Sequence, residues 1–213
     1  SLPGEEEESD EGEYGPEPLL GKNIKISEIA CTFQHEGTTR NFAFFPIYPE
    51  ISPHALEIAK RAVEQYPNLF TPFMDRPSPE SGDENLKAAV LSQVLLDYPG
   101  IFKGWGEISL YVLADGTGRD FLPDSPLLTP IYSVLQKNNM MVYFHPGENQ
   151  KNSFERVLKQ NPDINFIVHG DQIKDDIDYL MGKYPNIYFT INNFYANQDM
   201  FVSYEDQTPK TKE

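Results

Sequence analysis

The chain has 213 residues, which is enough for one domain with a full core or for a large part of a bigger domain. Its formal net charge of −16 argues against a partner bound through nucleic-acid phosphates, and no apolar run is long enough to predict a membrane-spanning helix. Cys31 is the single cysteine, so an internal disulfide is excluded.

The negative charge is concentrated at the start of the sequence. Residues 1–17 carry eight carboxylates and neither Lys nor Arg. Such a segment buries too little apolar surface to offset the entropy lost on ordering. We therefore predict an acidic flexible tail or loop over residues 1–20 and one folded domain over residues 21–213.

Helical and strand-like runs alternate along the rest of the chain. Four times, at residues 66, 98, 161 and 184, a Tyr or Asn followed by Pro stands between a predicted helix and the next strand. Because Pro cannot continue a helix, this pattern marks the loops of an α/β fold with parallel strands. Helices are predicted at 27–34, 53–65, 84–96, 127–137, 152–159 and 173–182, and strands at 41–48, 69–74, 101–110, 140–144, 164–168 and 187–191.

Three of these predicted strands carry a residue able to bind a metal at or near the carboxyl end. Glu107 follows Gly-Trp-Gly, His145 follows Val-Tyr-Phe, and His169 follows Phe-Ile-Val. The carboxyl ends of successive strands in a (β/α) barrel converge at one mouth, so these side chains are expected to meet there. Two imidazoles and a carboxylate suit a divalent metal, with zinc as the first choice and manganese or iron as alternatives. Taken singly, each could instead be an ordinary strand-end or core residue.

Other polar residues carry weaker signals. Asn192 ends the last strand and Arg76 follows another, so both are candidates for substrate binding, although a loop or turn role fits equally well. Lys103 lies four residues before Glu107, and this even separation predicts that the two side chains share a face of the strand. His35 and His54 are interpreted as structural. No residue is assigned as catalytic.

The segments GWGEI (104–108), LLTPIYSVLQKNNMMVYFHPG (127–147) and NPDINFIVHGDQIKDDIDYLMGKYPNIYFTIN (161–192) resemble the amidohydrolase-related branch of the metal-dependent hydrolase superfamily. The resemblance runs from about residue 41 to residue 192. It implies a TIM-type (β/α) barrel in which His145 and His169 bind metal at strands five and six. The GWGEI segment is also similar to TatD-like nucleases, in which a strand-four glutamate bridges two metals. That similarity implies that Glu107 is a ligand or a bridge.

This sequence departs from the family pattern at both ends of the barrel. The His-x-His pair of the first strand and the Asp of the eighth have no counterpart here. We therefore expect strands two to seven only, and so an incomplete barrel domain over residues 21–213, which is either a fragment of a longer protein or a pared-down relative with a compromised site.

The resemblance implies a metal-dependent hydrolase that uses metal-activated water on a small organic substrate with an amide, ester or related bond. The alternatives are a non-catalytic barrel-shaped binding or scaffold protein with a degenerate metal site, and a related decarboxylase. A nuclease is disfavoured by the net charge. A small-molecule partner is expected, with neither nucleic acid nor membrane. The sequence leaves open homo-oligomer formation and whether the protein is cytoplasmic or exported after removal of an upstream signal.

Overall fold

The computed structural model of the protein describes residues 25–45, 53–75, 87–111 and 122–190. The predicted acidic tail at 1–20 and the two substrate-binding candidates, Arg76 and Asn192, lie outside the described residues. The remaining predicted elements fall largely or wholly within them.

Helices and strands alternate through the described ranges, as the sequence predicts. Each of the six predicted helices and six predicted strands has a counterpart there. In chain order, the elements are α1 Ile26–His35, β1 Asn41–Phe45, α2 Pro53–Gln65, β2 Phe70–Met74, α3 Ala88–Asp97, β3 Gly104–Ser109, α4 Thr129–Lys137, β4 Met141–His145, α5 Lys151–Gln160, β5 Phe166–Val168, a 3-10 turn Asp171–Ile173, α6 Lys174–Lys183 and β6 Ile187–Phe189.

The predicted boundaries are wrong mainly where a turn extends into the expected strand. Strand β5 begins at Phe166 rather than at Ile164, because the amide of Ile164 donates to the carbonyl of Asn161 and closes the turn after α5. Strand β3 begins at Gly104 rather than at Ile101, since the turn that contains Gly100 with φ +80° extends through Ile101. Both errors shorten a strand without changing its place in the sheet.

All six strands are parallel and pair in sequence order, from β1 to β6. A doubly wound sheet would reverse its strand order at some point, whereas uninterrupted sequential pairing is the arrangement of a (β/α) barrel wall. The carboxyl ends of all six strands consequently lie along one edge of the sheet.

The two faces of the sheet bury different apolar clusters. The larger cluster joins strand residues such as Trp105, Phe144 and Phe166 to helix residues such as Phe154 and Leu135. The smaller cluster, which we call the inner cluster, consists of Phe73, Tyr143 and Ile167 with partly buried Phe42 and Met141 packed against it. Because successive side chains of a strand point to opposite faces, the inner cluster defines the side of the sheet away from the helices.

The helices of the described part are short. The longest, α2, has 13 residues. Among the described residues no helix combines the length and the apolar character needed to cross a membrane.

Candidate metal centre

The two histidines lie on the inner face because of their spacing from the inner cluster. His145 is the last residue of β4 and lies two residues after Tyr143. His169 comes directly after β5 and lies two residues after Ile167. Residues at even separations along a strand share a face, so both imidazoles continue the inner face at the carboxyl edge of the sheet.

Glu107 reaches the same face by a different route. The pairing of β3 with β4 shifts register between Trp105 and Ile108. Both of these residues are buried in the larger, helix-side cluster although they are three positions apart. One additional residue in the strand accounts for this odd spacing, as in a β-bulge, and such an irregularity re-aims a side chain. It directs Glu107 towards the two histidines.

The predicted triad comes together in the structure. Glu107 Oε1 lies 2.7 Å from His169 Nε2 and 3.2 Å from His145 Nδ1, and the two imidazole centroids are 4.1 Å apart. One ligand atom from each residue lies within 4.8 Å of the others. His169 is 3% exposed, whereas Glu107 and His145 are partly exposed. The group is therefore closed on the His169 side and accessible beside the other two residues.

The two histidines change the ionisation of Glu107. Burial alone would raise the pKa of this carboxyl group, but hydrogen bonds and charge interactions with His145 and His169 outweigh burial and lower the pKa to about 2. The carboxylate is therefore ionised at neutral pH. Burial, reinforced by the negative charge of Glu107, raises the pKa of the Tyr143 hydroxyl, which hydrogen-bonds to Thr190 Oγ1 at 2.7 Å.

The spacing of these atoms can be compared with the size of a metal site. Zinc binds imidazole nitrogen and carboxylate oxygen at about 2.0–2.2 Å, so two neighbouring ligand atoms are roughly 3.0–3.5 Å apart, depending on the coordination angle. The 3.2 Å between His145 Nδ1 and Glu107 Oε1 agrees with this range, and the 2.7 Å to His169 Nε2 requires a small opening. The donor types and their spacing thus fit a divalent metal without selecting which one.

A buried glutamine fixes the backbone beside His145. The amide of Leu110 donates to the carbonyl of His145 at 2.8 Å. Gln150, which is 4% exposed, donates from Nε2 to the carbonyl of Leu110 at 2.8 Å and accepts from the amide of Gly147 at 2.9 Å. The end of β3 and the loop after β4 are therefore joined through one side chain. Sequence reasoning missed Gln150, because a glutamine in a loop carries no pattern of its own.

Two more residues beside the site were missed. The Tyr111 hydroxyl lies 3.3 Å from Nδ1 and 3.1 Å from Nε2 of His145, and the two rings meet edge to face. Gly170 has φ +103°, and a Cβ at this position would lie 2.7 Å from His145 Nε2. One signal for Gly170 was present in the sequence, because this glycine directly follows the strand-end His169. By contrast, His35 is exposed at the end of α1, and its structural interpretation stays a prediction.

No protein-family model matches the sequence, and no curated protein matches it. Among solved structures, an uncharacterised TIM-barrel protein from Bordetella bronchiseptica is similar with a TM-score of 0.50 and 16% identity, over 78% of this chain and 58% of that chain. A dihydroorotase from Campylobacter jejuni gives a TM-score of 0.44 and 17% identity, over 80% and 57% of the two chains. A dihydroxybenzoic acid decarboxylase from Polaromonas, solved with bound manganese, gives 0.42 and 15%, over 82% and 70%.

At 16% identity, the similarity to the Bordetella protein is informative about the fold and not about activity. The sequential parallel sheet and the similarity to the Bordetella protein together confirm the predicted TIM-type (β/α) barrel. The chain spans 58% of the length of that barrel protein. The described residues therefore form part of a TIM barrel, with the candidate metal centre at the carboxyl edge of its strands.

Proposed function

We propose that Glu107, His145 and His169 bind one divalent metal ion and that the intact protein is a metal-dependent hydrolase of a small organic substrate. The observation that supports this proposal most strongly is the convergence of three donor atoms from three adjacent strands within 4.8 Å. Active sites of TIM-barrel enzymes lie at this edge of the strands.

The chemical character of the three side chains supports the same reading. Metal ligands must be deprotonated, and the lowered pKa of Glu107 keeps its carboxylate ionised at neutral pH. Each histidine directs one ring nitrogen towards Glu107 Oε1, so both nitrogens face the same point. When bound, a divalent ion at such a point lowers the pKa of water to near neutrality and polarises a carbonyl group.

The surroundings of the triad divide into a dry side and an accessible side. Tyr143 packs against the buried His169 with ring centroids 5.2 Å apart, and the inner cluster continues beneath it. Water is thereby excluded from the inner side of the site. Glu107 and His145 are partly exposed, and a small amide or ester would approach beside them. Additional ligands and substrate contacts would come from the part of the barrel outside the described residues.

The proposal is tested by removing and restoring metal in the purified protein. After chelation and reloading with zinc, manganese or iron, the protein should bind about one equivalent and hydrolyse members of an ester, amide and lactone panel. Glu107→Gln should lose metal and activity, whereas Glu64→Gln, on the exposed side of α2, should retain both. Stoichiometric metal without turnover on any panel member would favour the binding-protein alternative. Release of carbon dioxide from aromatic acids would favour the decarboxylase alternative.

A further inference from the structure

One edge of the His145 ring faces away from Glu107. Nδ1 of His145 lies 3.2 Å from Glu107 Oε1, which leaves Nε2 on the other edge of the ring. A histidine that binds metal through one ring nitrogen almost always donates the N–H of the other to an acceptor, which fixes the tautomer and the ring orientation. The structure must therefore provide an acceptor for Nε2 if His145 is to bind metal through Nδ1.

The Tyr111 hydroxyl is not well placed for this role. It lies at nearly equal distances from Nδ1 and Nε2, 3.3 and 3.1 Å, and the two rings are inclined by 75°. The in-plane directions of two imidazole nitrogens diverge, so one oxygen at equal distance from both cannot be aligned with either. This contact positions the face of the ring and leaves the in-plane direction of Nε2 to another acceptor.

Gln172 supplies an acceptor close by. It is the middle residue of the 3-10 turn that follows β5. Its Oε1 is buried and has no hydrogen-bond partner among the described residues. A Cβ on Gly170 would lie 2.7 Å from His145 Nε2 and 2.8 Å from Gln172 Oε1, so the two atoms border the same small space. Glycine at position 170 keeps that space open.

We propose that Gln172 is a positioning residue whose Oε1 accepts the Nε2–H of His145 when a metal takes the place of the Nδ1 hydrogen bond to Glu107. This hydrogen bond favours the tautomer in which Nδ1 carries no proton, so that its lone pair is available to the metal. The inference rests on the proposed metal-binding role of His145 and is independent of the reaction catalysed. It also explains why a buried amide oxygen, which costs free energy when unpaired, stands in this turn.

Zinc affinity of the full chain tests the proposal. Gln172→Leu removes the acceptor at similar size and should weaken zinc binding about tenfold, the lower end of the effect of losing such a partner. Gln172→Glu retains an acceptor oxygen and should bind zinc at least as tightly as the native chain. Gln160→Leu, at the exposed end of α5, is the matched control and should leave affinity unchanged. If Gln172→Leu lowers the melting temperature, Gln172→Met also removes the acceptor and has a side chain closer in shape to glutamine.

A spectroscopic signal separates positioning from a general structural effect. In the zinc-loaded native chain, the Nε2–H of His145 should be resolved by 15N-edited NMR and protected from exchange with water. In Gln172→Leu this signal should shift upfield and broaden, while the Gln160→Leu spectrum should match that of the native chain. Unchanged affinity and an unchanged Nε2–H signal in Gln172→Leu would overturn the assignment.

The outcomes also separate this inference from the proposed function. Zinc binding by the native chain without any turnover would end the hydrolase proposal. The zinc affinities of Gln172→Leu and the native chain would still test the role of Gln172. Turnover with equal zinc affinity in Gln172→Leu and the native chain would end the Gln172 proposal alone. Absence of zinc binding in the native chain would overturn both.

Discussion

Gly170→Ala is the substitution for which the structure predicts the sharpest effect. Gly170 has φ +103°, a backbone conformation that costs a residue with a Cβ about 1–3 kcal/mol. The added Cβ would also lie 2.7 Å from His145 Nε2 and 2.8 Å from Gln172 Oε1, closer than real Cβ contacts. The chain must therefore accept backbone strain and move the His145 ring as well.

Gly182→Ala provides the matched control. Gly182 is exposed in α6, and a Cβ there meets nothing within 4 Å. Alanine is favoured over glycine in a helix by up to about 1 kcal/mol, so this variant should be slightly more stable than the native chain. The same chemical change is thus expected to have opposite signs at the two positions, with a difference of roughly 2–4 kcal/mol.

Urea denaturation of the metal-free proteins measures this difference directly. The slope of unfolding free energy against urea should be the same for the three proteins, and only the midpoint should move. Gly170→Ala should also bind zinc more weakly than Gly182→Ala, because its strain falls on His145. Equal midpoints for the two variants would refute the stated geometry of the loop after β5.

Three further predictions concern the same region. Gln150→Leu leaves the Gly147 amide and the Leu110 carbonyl buried without a partner and should cost about 1–3 kcal/mol in urea denaturation. The pKa of Glu107 is lowered from 4.5 to about 2, so its stabilisation is full above pH 4.5 and is lost as the pH falls towards 2. Acid titration followed by circular dichroism should consequently destabilise the metal-free native chain more than Glu107→Gln. In metal analysis, the Glu107→Gln protein should retain more metal than either the His145→Ala or the His169→Ala protein.

Much of the fold follows from local sequence patterns. The Tyr/Asn-Pro loops and the apolar strands predict each α-helix and strand of the described residues, because each pattern acts over a few residues, but not the 3-10 turn at Asp171–Ile173. The positions of His145 and His169 follow from strand alternation, since both strands are regular up to those residues.

Alternation fails in β3. The even separation of Lys103 and Glu107 predicts that their side chains lie on the same face of the strand. The register shift between Trp105 and Ile108 interrupts the alternation of side chains, so an even separation no longer predicts a shared face. Lys103 is exposed and lies just before the strand begins. A strand irregularity depends on pairing with the neighbouring strand, and a single sequence does not display that pairing.

The residues around the triad could not be predicted for a related reason. Gln150 and Gln172 lie in turns, where hydrogen-bonding partners come from other elements. Nothing in the residue types near them distinguishes a buried glutamine from an exposed one. Only the folded arrangement brings Gln150 to Leu110, and Gln172 to the space beside His145.

The central claim is that His145 and His169 bind one metal together. Metal content and melting temperature of His145→Ala and His169→Ala test it most directly, with His35→Ala, exposed at the end of α1, as control. Both site variants should lose most of their metal. The metal-free variants should melt only moderately below the native chain, because they lose contacts with Glu107 while barrel stability comes mainly from regions away from this edge. A large fall in melting temperature with metal content unchanged would contradict the account.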